Sequence, residues 1–309
     1  MSIVIIRQDD KIELWKEALQ RAAPDISIYS YLEEHPADEI TMALVWKNPK
    51  GTLSQYPNLE YIASSGAGVD FLFEDETTPK NLPITRVVDA MLASDMSEYV
   101  LAAIFSYLKR FYQYKINQTK SLWKPEQYRR IADYTVGILG LGALGTALAK
   151  DLVRFGFKTQ GWSNSRKKID KVTAFAGKDE LAEFLGSSEI LACLLPLTNA
   201  TAGILNKELF NQLPKGAFVI NAARGGHLVD VDLIEMLDSG QLSGATLDVF
   251  HQEPLSSDHP FWQHEKIHIT PHYASVSDTD SVVPQIIENY RRMQHGELLT
   301  NLVSTDKGY

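Results

Sequence analysis

The chain has 309 residues, 44% hydrophobic and 22% charged, enough for two domains that each bury a core and too apolar for a disordered polymer. A formal net charge of -9 argues against nucleic acid as a bulk partner, since phosphate neutralisation needs a basic face, but leaves an anionic small substrate open. No apolar run reaches bilayer length, which argues against a membrane partner, and the single cysteine, Cys193, reads as a small buried hydrophobe in a chain suited to a reducing, cytoplasmic compartment.

Taken in order, the chain opens on an apolar run that reads as a strand at 3–6; Asp9 and Asp10 follow it, and the charged-then-apolar order of a signal peptide is missing. Further strands are expected at 26–29, 43–46 and 61–64. A helical stripe then joins Tyr99, Val100, Ala103, Ile104, Tyr107, Leu108 and Phe111, with Asp95 and Glu98 spaced like a helix start. Its aromatics read as packing or subunit contact. From residue 135 the alternation is regular: strands at 135–140, 158–162, 189–195, 217–221, 245–249 and 267–270, with helices at 147–155, 179–185, 207–213 and 231–239. Gly156 and Gly240 close two of these helices, and Pro196 ends a strand. A last helix at 282–295 carries the chain back to the first domain. Near-continuous apolar strands alternating with helices mean parallel sheets covered on both faces. The fold class is therefore α/β, with two doubly wound parallel-sheet domains: a Rossmann cofactor domain over 97–274 and a flavodoxin-like, discontinuous substrate domain over 1–96 and 275–309.

Between the strand at 135–140 and its helix lies Gly140-Leu141-Gly142-Ala143-Leu144-Gly145. The first glycine permits a tight turn, the second lets backbone approach a pyrophosphate, and the third lets helix pack on strand, while the helix N-terminus presents N–H groups to phosphate. For NAD, the end of the next strand should carry an acidic residue to bond the ribose hydroxyls. This chain instead has Ser163, Asn164, Ser165, Arg166, Lys167 and Lys168, hydroxyls and cations suited to a 2′-phosphate. NADPH is the expected cofactor, with NAD possible.

Asn221-Ala222-Ala223-Arg224-Gly225, Leu247-Asp248-Val249-Phe250, Glu253-Pro254 and Thr270-Pro271-His272 follow on successive strand ends, and Ser65-Gly66-Ala67-Gly68-Val69-Asp70 stands in the first domain. This ordered set, spread over nearly the whole chain, resembles the D-isomer-specific 2-hydroxyacid dehydrogenases. Within them, Trp46, Tyr128-Arg129-Arg130, the turn after Trp162 and the terminal Lys307-Gly308-Tyr309 resemble the glyoxylate/hydroxypyruvate reductase A branch. The resemblance implies reduction of a small 2-keto acid and a homodimer formed through the cofactor domain.

It also implies roles that the side chains suit. Arg224 would fork onto the substrate carboxylate and keto oxygen, and His272 would protonate that oxygen as general acid. Glu253 would hold the imidazole by its other nitrogen. The N–H groups of Ala67 and Gly68 would meet the carboxylate, and Trp46 would close the pocket to bulky acids. Asp248 matches the residue that bonds the nicotinamide carboxamide. Leu195, Pro196, Thr201, Ala222, Ala223 and Ala274 match positions lining the cofactor. Tyr273 departs from the family's small or aliphatic residue and is expected to narrow or reorient that pocket. His35, His227, His251, His259, His264, His268 and His295 lack this context and read as surface or structural, with no metal site among them. Two other readings stand beside this one: an NAD-dependent dehydrogenase for D-lactate or phosphoglycerate, and a dinucleotide-sensing corepressor on the same scaffold.

Overall fold

In a computed structural model of the protein, describing residues 2–306 and 308–309, the chain forms two compact units, Met1–Met91 with Ser277–Tyr309, and Leu92–Val276. Lys307 of the terminal motif lies outside the described residues.

In the first unit, β1 (Ser2–Arg7), β2 (Ser27–Ser30), β3 (Ile40–Trp46), β4 (Tyr61–Ser64) and β5 (Ile84–Thr85) form a parallel sheet ordered β2-β1-β3-β4-β5, the flavodoxin-like order. The strands are apolar on both faces because both are covered. Ile3, Ile5, Met42 and Leu44 pack with α1 (Ile12–Ala22) and the C-terminal helix Thr279–Gln294 through Trp15, Leu19, Val282 and Tyr290. Val4, Ile6, Ala43 and Val45 alternate onto the other face, with Leu53, Tyr56 and Leu72 of α2 (Asp70–Phe73).

The second unit is entered through α3 (Ala90–Leu108), whose Val100 and Ile104 pack on the sheet and whose Tyr107 stacks on Phe218 at 4.1 Å. This helix begins ahead of Asp95 and Glu98, which lie inside it. It also stops short of Phe111. Arg110 takes a left-handed backbone (φ 59, ψ 26), and Phe111 opens a separate helix, α4 (Phe111–Thr119), exposed rather than on the buried stripe.

The sheet of this unit joins β6 (Thr135–Leu139), β7 (Lys158–Ser163), β8 (Val172–Ala176), β9 (Ile190–Cys193), β10 (Ala217–Asn221), β11 (Leu242–Leu247) and β12 (Ile267–Ile269). All pairings are parallel, in the order β12-β11-β10-β9-β6-β7-β8. That is the doubly wound nucleotide-binding order with a seventh strand, and its direction reverses between β6 and β9. Helices α5 (Ala143–Phe155), α6 (Leu181–Ser187), α7 (Lys207–Gln212) and α8 (Asp230–Asp238) make the crossovers. Cys193 is wholly buried in β9, where desolvation pushes its thiol up to about 12 and leaves it inert as a nucleophile. Among the described residues no helix is long and apolar enough to cross a membrane.

Candidate active site

The segments that follow β6, β7, β10, β11 and β12 leave the sheet at its carboxyl edge. β6 runs into the glycine turn, where Gly140 has φ 106 and a Cβ there would sit 2.7 Å from the carbonyl oxygen of Leu194. A Cβ at Gly145 would sit 1.9 Å from the carbonyl oxygen of Gly140. The protein itself requires these two glycines. Gly142 is different: its φ of -76 suits any residue, and an added Cβ would meet nothing within 4 Å. The space before it opens at the N-terminus of α5, which begins at Ala143, four residues ahead of the expected start. Donors, helix dipole and an unfilled approach fit the pyrophosphate of a dinucleotide.

Next to it, β7 ends at Ser163, whose hydroxyl donates to the carbonyl of Ser165 at 2.9 Å. Asn164, Ser165, Lys167 and Lys168 are exposed. Arg166 reaches sideways, donating to the carbonyl of Ala174 on β8 and to the carboxylate of Glu180. β8 is an edge strand that no apolar run in the sequence announces.

β10, β11 and β12 end in register, with Asn221 beside Leu247 and Leu247 beside Ile269. Arg224, Asp248 and His272 follow these three ends on one edge of the sheet. Asn221 turns back on the segment after it: its side chain donates to the carbonyl of Arg224 (2.9 Å) and accepts from the N–H of Ala223 (3.2 Å). Arg224 in turn donates to the carbonyl of Ala223 at 2.7 Å. Nδ1 of His272 lies 2.7 Å from a carboxylate oxygen of Glu253, whose other oxygen accepts from the N–H of Phe250 at 3.1 Å. Both side chains keep some exposure, 26% and 21%. With Nδ1 engaged, Nε2 is the nitrogen left to address a ligand.

The Asp248 carboxylate is only 1% exposed as a residue and accepts from the Thr270 hydroxyl (2.6 Å), the Tyr273 N–H (2.8 Å) and the Ala274 N–H (2.9 Å). The N–H of His272 donates to the Asp248 carbonyl at 2.8 Å, and Tyr99 meets Thr270 at 2.6 Å. Asp248 therefore anchors the turn that holds His272 at φ 53, a position few non-glycine residues adopt. Tyr273 is anchored by its backbone while 72% of its surface is exposed.

Leu195, Ala222 and Ala223 are buried beside the edge. The Thr201 hydroxyl donates to the Pro196 carbonyl at 2.7 Å, so it braces its own loop. His227 is fully buried, its ring nitrogens 3.1 Å and 3.2 Å from the carbonyls of Arg224 and Pro196, tying those two loops together. Nothing in its sequence surroundings marks that role. Arg129 of the Tyr128-Arg129-Arg130 motif pairs with Glu189 at 2.6 Å, before the amino end of β9, at the edge opposite the site.

In the first unit, Ser64 at the end of β4 holds the glycine-rich loop, donating to the carbonyls of Gly66 (3.1 Å) and Gly68 (3.0 Å). Trp46, at the end of β3, lies on this loop: a Cβ at Gly66 would fall 2.3 Å from its ring, which meets Phe71 edge-on at 5.7 Å. Ala67 and Gly68 are half-buried.

Fold and site together define a nicotinamide-dinucleotide-dependent oxidoreductase. The model of the D-isomer specific 2-hydroxyacid dehydrogenase NAD-binding domain matches residues 101–274. The chain belongs to the D-isomer specific 2-hydroxyacid dehydrogenase family. It is 38% identical, over the full length of both chains, to glyoxylate/hydroxypyruvate reductase A of Yersinia enterocolitica, and 40% identical over 96% of each chain to the Photorhabdus laumondii protein of that name. Among solved structures, it resembles a D-isomer specific 2-hydroxyacid dehydrogenase from Xanthobacter autotrophicus in complex with NADPH and MES, with a TM-score of 0.95 and 37% identity over 100% of this chain and 99% of that one. It also resembles the NADPH-dependent glyoxylate/hydroxypyruvate reductase of Sinorhizobium meliloti in complex with NADP and sulfate, with a TM-score of 0.93 and 35% identity over all of both chains.

Proposed function

We propose that this chain is an NADPH-preferring reductase of glyoxylate and hydroxypyruvate, with Leu92–Val276 as cofactor domain and the other unit as substrate domain. The observation that carries the reading is the 2.7 Å pairing of His272 with Glu253, on the same sheet edge as the open approach to Gly142. NADPH, when bound along the glycine turn, supplies the hydride. His272 donates its proton from Nε2 to the keto oxygen, while Glu253 fixes the ring through Nδ1. Arg224 binds the carboxylate and stabilises charge growing on the keto oxygen. The amides of Ala67 and Gly68 take the carboxylate, and Trp46 limits the size of the acid. Ser163, Arg166 and Lys167 meet the 2′-phosphate, and Asp248 holds the His272 turn beside the carboxamide.

The same reading includes a cytoplasmic homodimer. Phe111, Leu122, Tyr128 and Trp123, the last 98% exposed, leave apolar side chains in solvent along the segment 111–128, which a second copy would cover. Steady-state kinetics with glyoxylate, hydroxypyruvate and pyruvate, each with NADPH and NADH, test the function. One well-placed charge-assisted bond to the 2′-phosphate is enough for about tenfold preference. Absent turnover with all three acids would refute the activity, and equal efficiency with both cofactors would refute the phosphate turn.

A further inference from the structure

The partner of Arg166 is built into the main chain. β8 pairs in register with β7, Trp162 beside Phe175 and Ser163 beside Ala176, so the basic turn and the end of β8 share one corner of the sheet. Gly177 then turns the chain with φ 72, its N–H donating to the carbonyl of Ser163 (3.2 Å) and its carbonyl accepting from the Trp162 indole (2.7 Å). This turn brings Glu180 back over the strand. One of its carboxylate oxygens accepts from the Ala176 N–H at 2.7 Å, and the other takes Nη2 of Arg166, while Nη1 of Arg166 donates to the Ala174 carbonyl.

A guanidinium offers five N–H donors in a rigid fork, and this arrangement uses two. Nε and one hydrogen on each terminal nitrogen remain for an anion. The geometry points to Glu180 as a positioning residue for cofactor choice: it holds the Arg166 fork against the outer edge of β8, at the corner of the sheet where the basic turn leaves β7, ordered before the 2′-phosphate arrives. This rests on the reading that Arg166 meets that phosphate.

Two effects oppose each other. The carboxylate repels the phosphate, but at roughly 7 Å through water and physiological salt that amounts to about twofold in binding. Freeing a rotamer-rich arginine that must then be ordered on binding amounts to roughly three- to tenfold. Ordering wins.

The test measures dissociation constants of NADPH and NADH for the full chain by fluorescence titration, with a thermal melt to verify folding. Glu180→Ala should weaken NADPH about three- to tenfold and leave NADH within about twofold. Glu180→Gln should recover part of the loss, because its one acceptor oxygen can serve Nη2 or the Ala176 N–H but not both. In an Arg166→Ala background, Glu180→Ala should no longer change the NADPH-to-NADH ratio, a coupling that a merely structural role would not produce. Tighter NADPH binding in both Glu180 variants would overturn the inference, because repulsion would then dominate. An unchanged ratio in Glu180→Ala, with a reduced one in Arg166→Ala, would overturn the inference alone. An unchanged ratio in Arg166→Ala would overturn the reading of the basic turn and this inference with it.

Discussion

The three glycines of the phosphate turn should separate under substitution by alanine, because the structure gives them different reasons to be glycine. At Gly142 an alanine Cβ meets no protein atom, and φ is -76. Reduced freedom of the unfolded chain stabilises by about 0.4–1 kcal/mol, and replacing glycine as the cap residue of α5 costs a similar amount. The two offset, so the melting temperature of the unit should stay within about 4 °C of wild type at about 2–4 °C per kcal/mol. The new methyl group nevertheless occupies the approach to the pyrophosphate, and NADPH should bind at least tenfold more weakly. Gly145→Ala has the opposite profile. Its Cβ would lie 1.9 Å from the main-chain oxygen of Gly140, where no flexible side chain can yield. Overpacking against backbone costs about 3 kcal/mol or more, a fall of about 6–12 °C. Scanning fluorimetry with and without NADPH measures both. A Gly142→Ala protein that binds NADPH like wild type would refute the placement of the pyrophosphate.

Three further outcomes follow from the site. His272→Ala should lose about 10²–10⁴-fold in turnover, roughly 3–5 kcal/mol of barrier, with cofactor affinity retained, and a variant with half the wild-type rate would remove His272 as the acid. Arg224→Lys should reduce turnover sharply despite its unchanged charge, because an ammonium lacks the two-pronged geometry; near-normal kinetics would demote Arg224. Trp123→Ser should weaken self-association in analytical ultracentrifugation, and a wild-type chain that sediments as a monomer at micromolar concentration would reject the homodimer outright.

The parts of the fold legible in the sequence are those where an apolar run ends on a strong breaker. β10 and β4 have the expected limits, and β6 and β7 lie within a residue of theirs. β8 is not legible because Val172–Ala176 is an edge strand with only Phe175 buried, so no continuous apolar run marks it. With it went the partner of Arg166, since Glu180 is brought back only by the turn after that strand. The break between α3 and α4 was hidden for a different reason. Arg110 adopts the left-handed region without glycine or proline to announce it, so the apolar stripe in the sequence runs on through Phe111. The sequence places the start of α5 late because Gly145 reads as loop, whereas it sits in the first turn and packs on Gly140. At the candidate site the residues were legible and the wiring was not. The order of Arg224, Glu253 and His272 is in the sequence, but the closure of Asp248 onto the His272 turn depends on main-chain donors from Tyr273 and Ala274, which side-chain identity does not encode.

One half-buried histidine gives the stability of the cofactor unit a predictable pH dependence. His268, on edge strand β12, stacks on Tyr112 of α4 with ring centroids 3.3 Å apart and planes 12° from parallel. Desolvation lowers its pKa from 6.5 to about 4, so the folded protein keeps the ring neutral in acid that protonates the unfolded chain. Between those values the unfolded state binds more protons, and stability falls as pH drops below 6.5 and levels off below about 4. At pH 5 the two values correspond to about 2 kcal/mol; solvent screening of a side chain that is not fully buried reduces this to roughly 1–2 kcal/mol. That is about 2–8 °C in melting temperature. Other groups also titrate in this range, so the measurement is a difference. His268→Phe keeps an aromatic face on Tyr112 and removes the titration, and the gap between its melting temperature and that of the wild type should shift in its favour by this amount between pH 7.5 and pH 5. A gap constant across that interval would mean that His268 is solvated well enough to accept its proton without loss of the stack.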